Sequence, residues 1–124
     1  QLHGSPHQRK MIAEINEPFK PHLVIMDGIE AFVDGGPATG KRAQGNVLWA
    51  SSDRVAADAV GLALLKHLGS NDAVMNRKIF EQEQIARAVE LGLGASSPAE
   101  IGLVAADAKS REYCGRVGEI LNQG

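Results

Sequence analysis

Cysteine is nearly absent from this chain. Its one thiol, Cys114, can neither close an internal disulfide nor hold a metal cluster alone, so the expected compartment is a reducing, cytoplasmic one. Aromatic residues are scarce at 4%, which leaves an aliphatic, alanine-rich core and few platforms for stacking bases. No basic run exceeds two residues (Arg9-Lys10, Lys41-Arg42, Arg77-Lys78) and the formal net charge is −2. A nucleic-acid binder normally carries a basic face or tail, so that class is set aside. No apolar run approaches the ~18 residues of a membrane span, and no charged-then-apolar leader opens the chain. The first residue is Gln1, not Met, as expected of a fragment or a processed chain.

What is present suits one folded domain over residues 1–124. The length is that of a single domain with one real core. Hydrophobic residues at 44% and charged residues at 23% argue against disorder.

The order of elements points to an α/β fold, with a small parallel or mixed sheet of three to five strands flanked by helices. Ser5 and Pro6 open a helix over 7–16, with Met11, Ile12 and Ile15 on one face, and Pro18 and Pro21 end it. Leu23 to Met26 reads as a buried strand, and Ile29 to Val33 as a second short apolar stretch. The glycine-rich run Asp34 to Lys41 reads as a loop, and Asn46 to Ala50 as another strand. Ser51, Ser52 and Asp53 offer caps to a helix reaching Leu68, apolar on nearly every side and therefore buried, with Gly69 closing it. Asn71 or Asp72 opens a short turn. A helix over 79–91 follows, carrying a Glu83–Arg87 pair. Ile101 to Ala105 is expected as a third strand, and Asp107 caps a last helix over 108–122.

Three features could carry chemistry. Asp27-Gly28 directly follows the first strand, where open α/β sheets place ligands, although an aspartate there also makes an Asx-turn with its own backbone. Asp34-Gly35-Gly36-Pro37 through Gly40-Lys41 could turn N–H groups toward one anion, with Lys41 adding charge, or could simply be a hairpin-like loop. The spacing Gly35 to Gly40-Lys41 is that of a P-loop, but residue 42 is Arg where Ser or Thr must hold magnesium. Convergence of Asp27, Glu30 and Asp34 would make a hard-oxygen site for a divalent cation, given a bend at Gly28. Asp53 and Asp58 follow nearby, and Arg54 offers Asp58 an i,i+4 partner. His3, His7, His22 and His67 are scattered, with Pro6 between the one pair at helical spacing. They read as solvated. Cys114 reads as a buried, inert thiol, and no nucleophile elbow is visible.

Three runs resemble a known family: Leu23-Val24-Ile25-Met26-Asp27-Gly28; Gly35-Gly36-Pro37 with Gly40; and Ala50-Ser51-Ser52-Asp53-Arg54-Val55-Ala56-Ala57-Asp58-Ala59. The family is the domain of unknown function 362, whose members carry "D-G … G-x-G-P … G" and then "S-x-D-x-V-A-x-D". Here the first stretch is compressed to Asp34-Gly35-Gly36-Pro37. The segment Ala88 to Gly94 is also similar, and the resemblance extends over about 5–104. It implies one cleft formed by Asp27, Asp34, Gly36, Pro37, Asp53 and Asp58. With their neighbours Gly28, Gly35, Gly40, Lys41 and Ser52 these are the candidate ligand-binding residues, and Asp27, Glu30 and Asp34 are the candidate metal ligands. The resemblance further implies an iron–sulfur-associated protein of which this chain is the C-terminal part, with any cluster held in a portion outside it. Two functions follow as expectations. One is a domain that binds a divalent metal or a small anionic ligand within a redox enzyme or maturase. The other is a non-catalytic module docking to a redox partner protein. Carboxylates with raised pKa would favour the first, and an exposed apolar patch the second.

Overall fold

The computed structural model describes residues 3–36 and 38–124. Chain order is α1 (Gln8–Ile15), β1 (Val24–Asp34), β2 (Lys41–Ser51), α2 (Arg54–Leu68), α3 (Asp72–Met75), α4 (Glu83–Glu90) and α5 (Ala108–Gln123), with single 3-10 turns at Ile79–Glu81 and Pro98–Glu100. The fold is α/β. Among the described residues its sheet is one antiparallel hairpin of two strands, and not parallel.

The two short apolar stretches before the glycine loop are therefore one strand. Asp27-Gly28, expected in a loop, lies in the middle of β1, where Asp27 pairs with Leu48 and Gly28 with Val47. The Asp34 to Lys41 loop is the hairpin turn. Gly35 and Gly36 take φ of 78° and 77°, a region open to glycine at little cost, and Gly40 N–H donates to Gly36 C=O at 3.2 Å. Pro37 lies outside the described residues.

Two register shifts shape the hairpin. Between Gly28 and Glu30 the partners skip from Val47 to Gln44, and Asn46 sits at φ 53°. Here Gly45 presses on β1 so closely that a Cβ on it would stand 2.2 Å from the Gly28 carbonyl oxygen. Between Phe32 and Asp34 the extra residue is on β1. It is Val33, which turns into the core at 2% exposure. Its carbonyl accepts from Ser70 Oγ at 2.7 Å and from Asn71 N–H at 3.1 Å. Bulges redirect side chains in this way.

Helix α2 is the centre of the domain. Its small residues bury on several sides at once. On one flank Ala59, Val60 and Ala63 pack with Ile79, Val117 and Leu121. On another Val55 packs with Ala13, Ile85 and Ala88. The inner face of the hairpin lies over it, with Trp49 Nε1 donating to Ala57 C=O at 3.0 Å. The outer face is open: Ile25 is 69% exposed and Leu48 62%.

Several local expectations change. The helix over 79–91 is a 3-10 turn followed by α4, because Gln82 is extended (φ −62°, ψ 131°). Arg87 pairs with Glu14 and Glu90, not with Glu83. Ile101 to Ala105 is not in the sheet and forms no strand. Cys114 is half-buried.

Candidate functional site

Ten of the eleven candidate ligand-binding residues fall into three places; the other, Pro37, lies outside the described residues. Asp34, Gly35, Gly36, Gly40 and Lys41 form the hairpin turn at one end of the sheet, with Asp34 and Lys41 as register partners. Ser52 is exposed and Asp53 is the cap of α2. Asp27, Gly28 and Asp58 line one cavity.

Asp53 is fully committed to structure. One oxygen accepts from Val55 N–H at 2.8 Å and Ala56 N–H at 3.0 Å, and the other from Ala95 N–H at 2.7 Å. It closes the first turn of α2 and ties the loop after α4 to it. Arg54 is equally engaged. Its guanidinium donates to the carbonyls of Asn16, Phe19 and Leu93, so the expected Arg54–Asp58 pair does not form.

The metal expectation fails on strand geometry. Asp27 and Asp34 are seven residues apart on one extended strand, roughly 24 Å at ~3.4 Å per residue. Asp27 accepts from Ile29 N–H at 2.9 Å, the Asx-turn. Glu30 pairs with Arg42 across the hairpin at 2.9 Å. Among the described residues no group of three His, Cys, Asp or Glu could hold a metal ion. An iron–sulfur cluster does not fit these residues either, with Cys114 the one thiol.

The cavity has a volume of about 370 Å³, within the range of small-ligand pockets. Met26, Trp49, Leu62 and Leu65 are among its apolar walls, contributed by the hairpin's inner face and α2. Asp58 and Gln84 are its polar pair. Gln84 Nε2 donates to Asp58 Oδ2 at 3.0 Å. Burial raises the Asp58 pKa above the usual carboxylate range, and the Gln84 hydrogen bond offsets this only in part. Gln82 holds the wall beside it. It is 5% exposed and donates to Ala73 C=O at 3.1 Å. Arg9 from α1, Asp27 from β1 and Glu83 from α4 are the other charged groups lining the cavity. Gln82, Gln84 and Arg9 were not singled out from the sequence. The available signal was Asp58 itself, an acid on a helix apolar on nearly every side, which must find a polar neighbour from another element.

The family whose description reads Domain of unknown function (DUF362) matches residues 1–63. The chain belongs to that family. The DUF362 match takes in the hairpin and α2 as far as Ala63, and with them every residue proposed from the sequence, Asp58 included. The similar-looking segment Ala88 to Gly94 lies beyond it. No curated protein and no solved structure matches the chain.

Among the described residues no helix is long and apolar enough to cross a membrane.

Proposed function

We propose that this chain is a small-ligand-binding domain whose site is the cavity between the hairpin, α2 and α4. The observation that carries this is Asp58: a carboxyl group with a raised pKa, set in an apolar wall and paired with an amide from another element. Together the Asp58 carboxyl and the Gln84 amide present both acceptor and donor groups to the cavity. The preferred ligand is then uncharged, mostly apolar, and carries an amide-like edge. The sequence suggested an anion at the glycine loop. Among the other charged groups of the lining, Asp27 and Glu83 outnumber Arg9, which disfavours an anion there.

Benzamide, benzamidine and benzoate share a shape and differ in charge, so NMR titration with the three tests the reading. Benzamide is expected to bind best where Asp58 holds its proton, with its affinity falling as pH rises through the raised Asp58 pKa. Best binding by benzoate would restore the anionic ligand. Best binding by benzamidine would mean an ionised carboxylate. No response in cavity residues to any of the three would remove the site.

A stability prediction follows from the same shift. The folded state holds the Asp58 proton more tightly than the unfolded state. The contribution is therefore full below the ordinary aspartate pKa near 4 and is lost as pH rises through the raised folded value. Asp58→Asn keeps the Gln84 hydrogen bond and removes the ionisation. Its melting temperature at pH 7 should exceed the wild type's by a few degrees, with no difference near pH 3.

A second reading, a module docking to a redox partner, is favoured by the outer sheet face, where Ile25, Leu48 and Phe32 are exposed. Its redox character, and a cluster held elsewhere, derive from the family resemblance alone.

A further inference from the structure

A different surface, neither the cavity nor the outer sheet face, has the form of a vacant strand position. Antiparallel pairing uses one edge of β2. The other edge faces away from β1 and, in a two-stranded sheet, presents unpaired N–H and C=O groups. Along that edge, from Asn46 to Ser51, runs a groove of about 540 Å³. Its floor is α2, through Ala56, Ala57 and Val60. Its far bank is the segment from Ile101 to Ala106, continued by Lys109 and Tyr113 of α5.

The far bank is itself strand-like. From Ile101 to Ala105 the residues alternate between half-buried and exposed, with Val104 91% exposed. Ile101 is extended, at φ −110° and ψ 113°. Ile101 and Leu103 pack on the core beside α2. Across the groove β2 alternates in the same way, with Val47, Trp49 and Ser51 inward and Leu48 and Ala50 outward. The edge of β2 and the 101–105 segment thus lie over one helix layer with a groove between them, and the backbone of 102–105 makes no hydrogen bond among the described residues. The strand-like sequence at 101–105 is in no sheet.

We infer that this groove takes an extended strand from a partner polypeptide, which joins β2 and the 101–105 segment into one sheet over α2. Charge narrows the partner. Lys109 is the one charged residue of the lining, so the strand is apolar on alternate positions and carries an acid at the end that reaches Lys109. This is strand addition, in which main-chain bonds give affinity and alternate side chains give specificity.

The test uses the whole chain and two synthetic peptides, acetyl-Asp-Thr-Val-Thr-Val-Thr-amide and its counterpart with the aspartate last, followed by amide exchange and NMR shifts. One peptide is expected to protect amides on both banks, within 46–51 and 101–106. Methylating its alternate nitrogens should abolish that protection. Lys109→Glu, at an exposed helix start, should weaken the peptide roughly tenfold and favour a lysine-ended version by a similar factor. Three outcomes overturn the inference: no protection by either peptide, protection confined to the outer sheet face, or both banks already protected in a dimer seen by sedimentation. The last would assign the groove to a second copy of the chain.

Discussion

Asp53→Ala should lower the melting temperature by roughly 10 °C. The substitution removes the cap of α2, a loss of about 1 kcal/mol in typical helices. It also strands the Ala95 N–H, which now donates to Asp53 at 2.7 Å. Ala95 is 7% exposed, so water does not readily replace the lost acceptor, and a buried orphan donor costs about 1–3 kcal/mol. The two losses sum to roughly 3 kcal/mol, which for a chain of this size is on the order of 10 °C. Asp53→Asn should lie in between, since its carbonyl can serve one of the two sites but not both. Differential scanning calorimetry of the three proteins is the check. A fall of only a degree or two in Asp53→Ala would mean that the loop after α4 is held by other contacts.

Gly45→Ala is expected to cost about 3 kcal/mol, at or beyond the usual upper range for overpacking. The new methyl would meet the Gly28 carbonyl oxygen at 2.2 Å. That oxygen belongs to the backbone of the facing strand and has no rotamer through which to retreat. The response must be a shift of the two strands, and amide exchange should show it as lost protection from Gly28 to Ala31 and from Ala43 to Val47. The tip glycine Gly36, with open space around its Cα, provides the contrast. Alanine there meets no neighbour and strains only the turn, so protection along the strands should survive.

The helices were readable in the sequence because their signals are local. Asp53 and Asp107 cap the helices they were expected to cap, and Gly69 closes α2 with φ 77°. The all-round apolar pattern of α2 correctly marked it as buried. The sheet was harder to read. Asp27-Gly28 interrupts an apolar run, and such a pair ordinarily signals a turn. Here Gly28 is in the strand because α2 and Trp49 leave no room for more: a Cβ would lie 2.7 Å from Leu64 Cδ2 and from Trp49 Cζ3. That is a tertiary reason, invisible in any window of sequence. Once β1 runs through position 28, its carboxylates are spaced along a strand and cannot gather at one point. The expected cleft dissolves for that reason, and only Asp27, Gly28 and Asp58 remain around one space. The segment at 101–105 shows the converse. Its strand pattern is genuine, but a ladder needs a neighbour at hydrogen-bonding distance, and that was not in the pattern to be read.

The indole of Trp49 lines both the cavity and the groove beside β2, and it is the chain's one tryptophan. Its emission is therefore a built-in optical reporter for both sites, with no label required. The same placement makes the ring a shared wall. A guest that shifts it from one side reshapes the space on the other, and any change in affinity that one guest imposes on the second must be returned in equal measure.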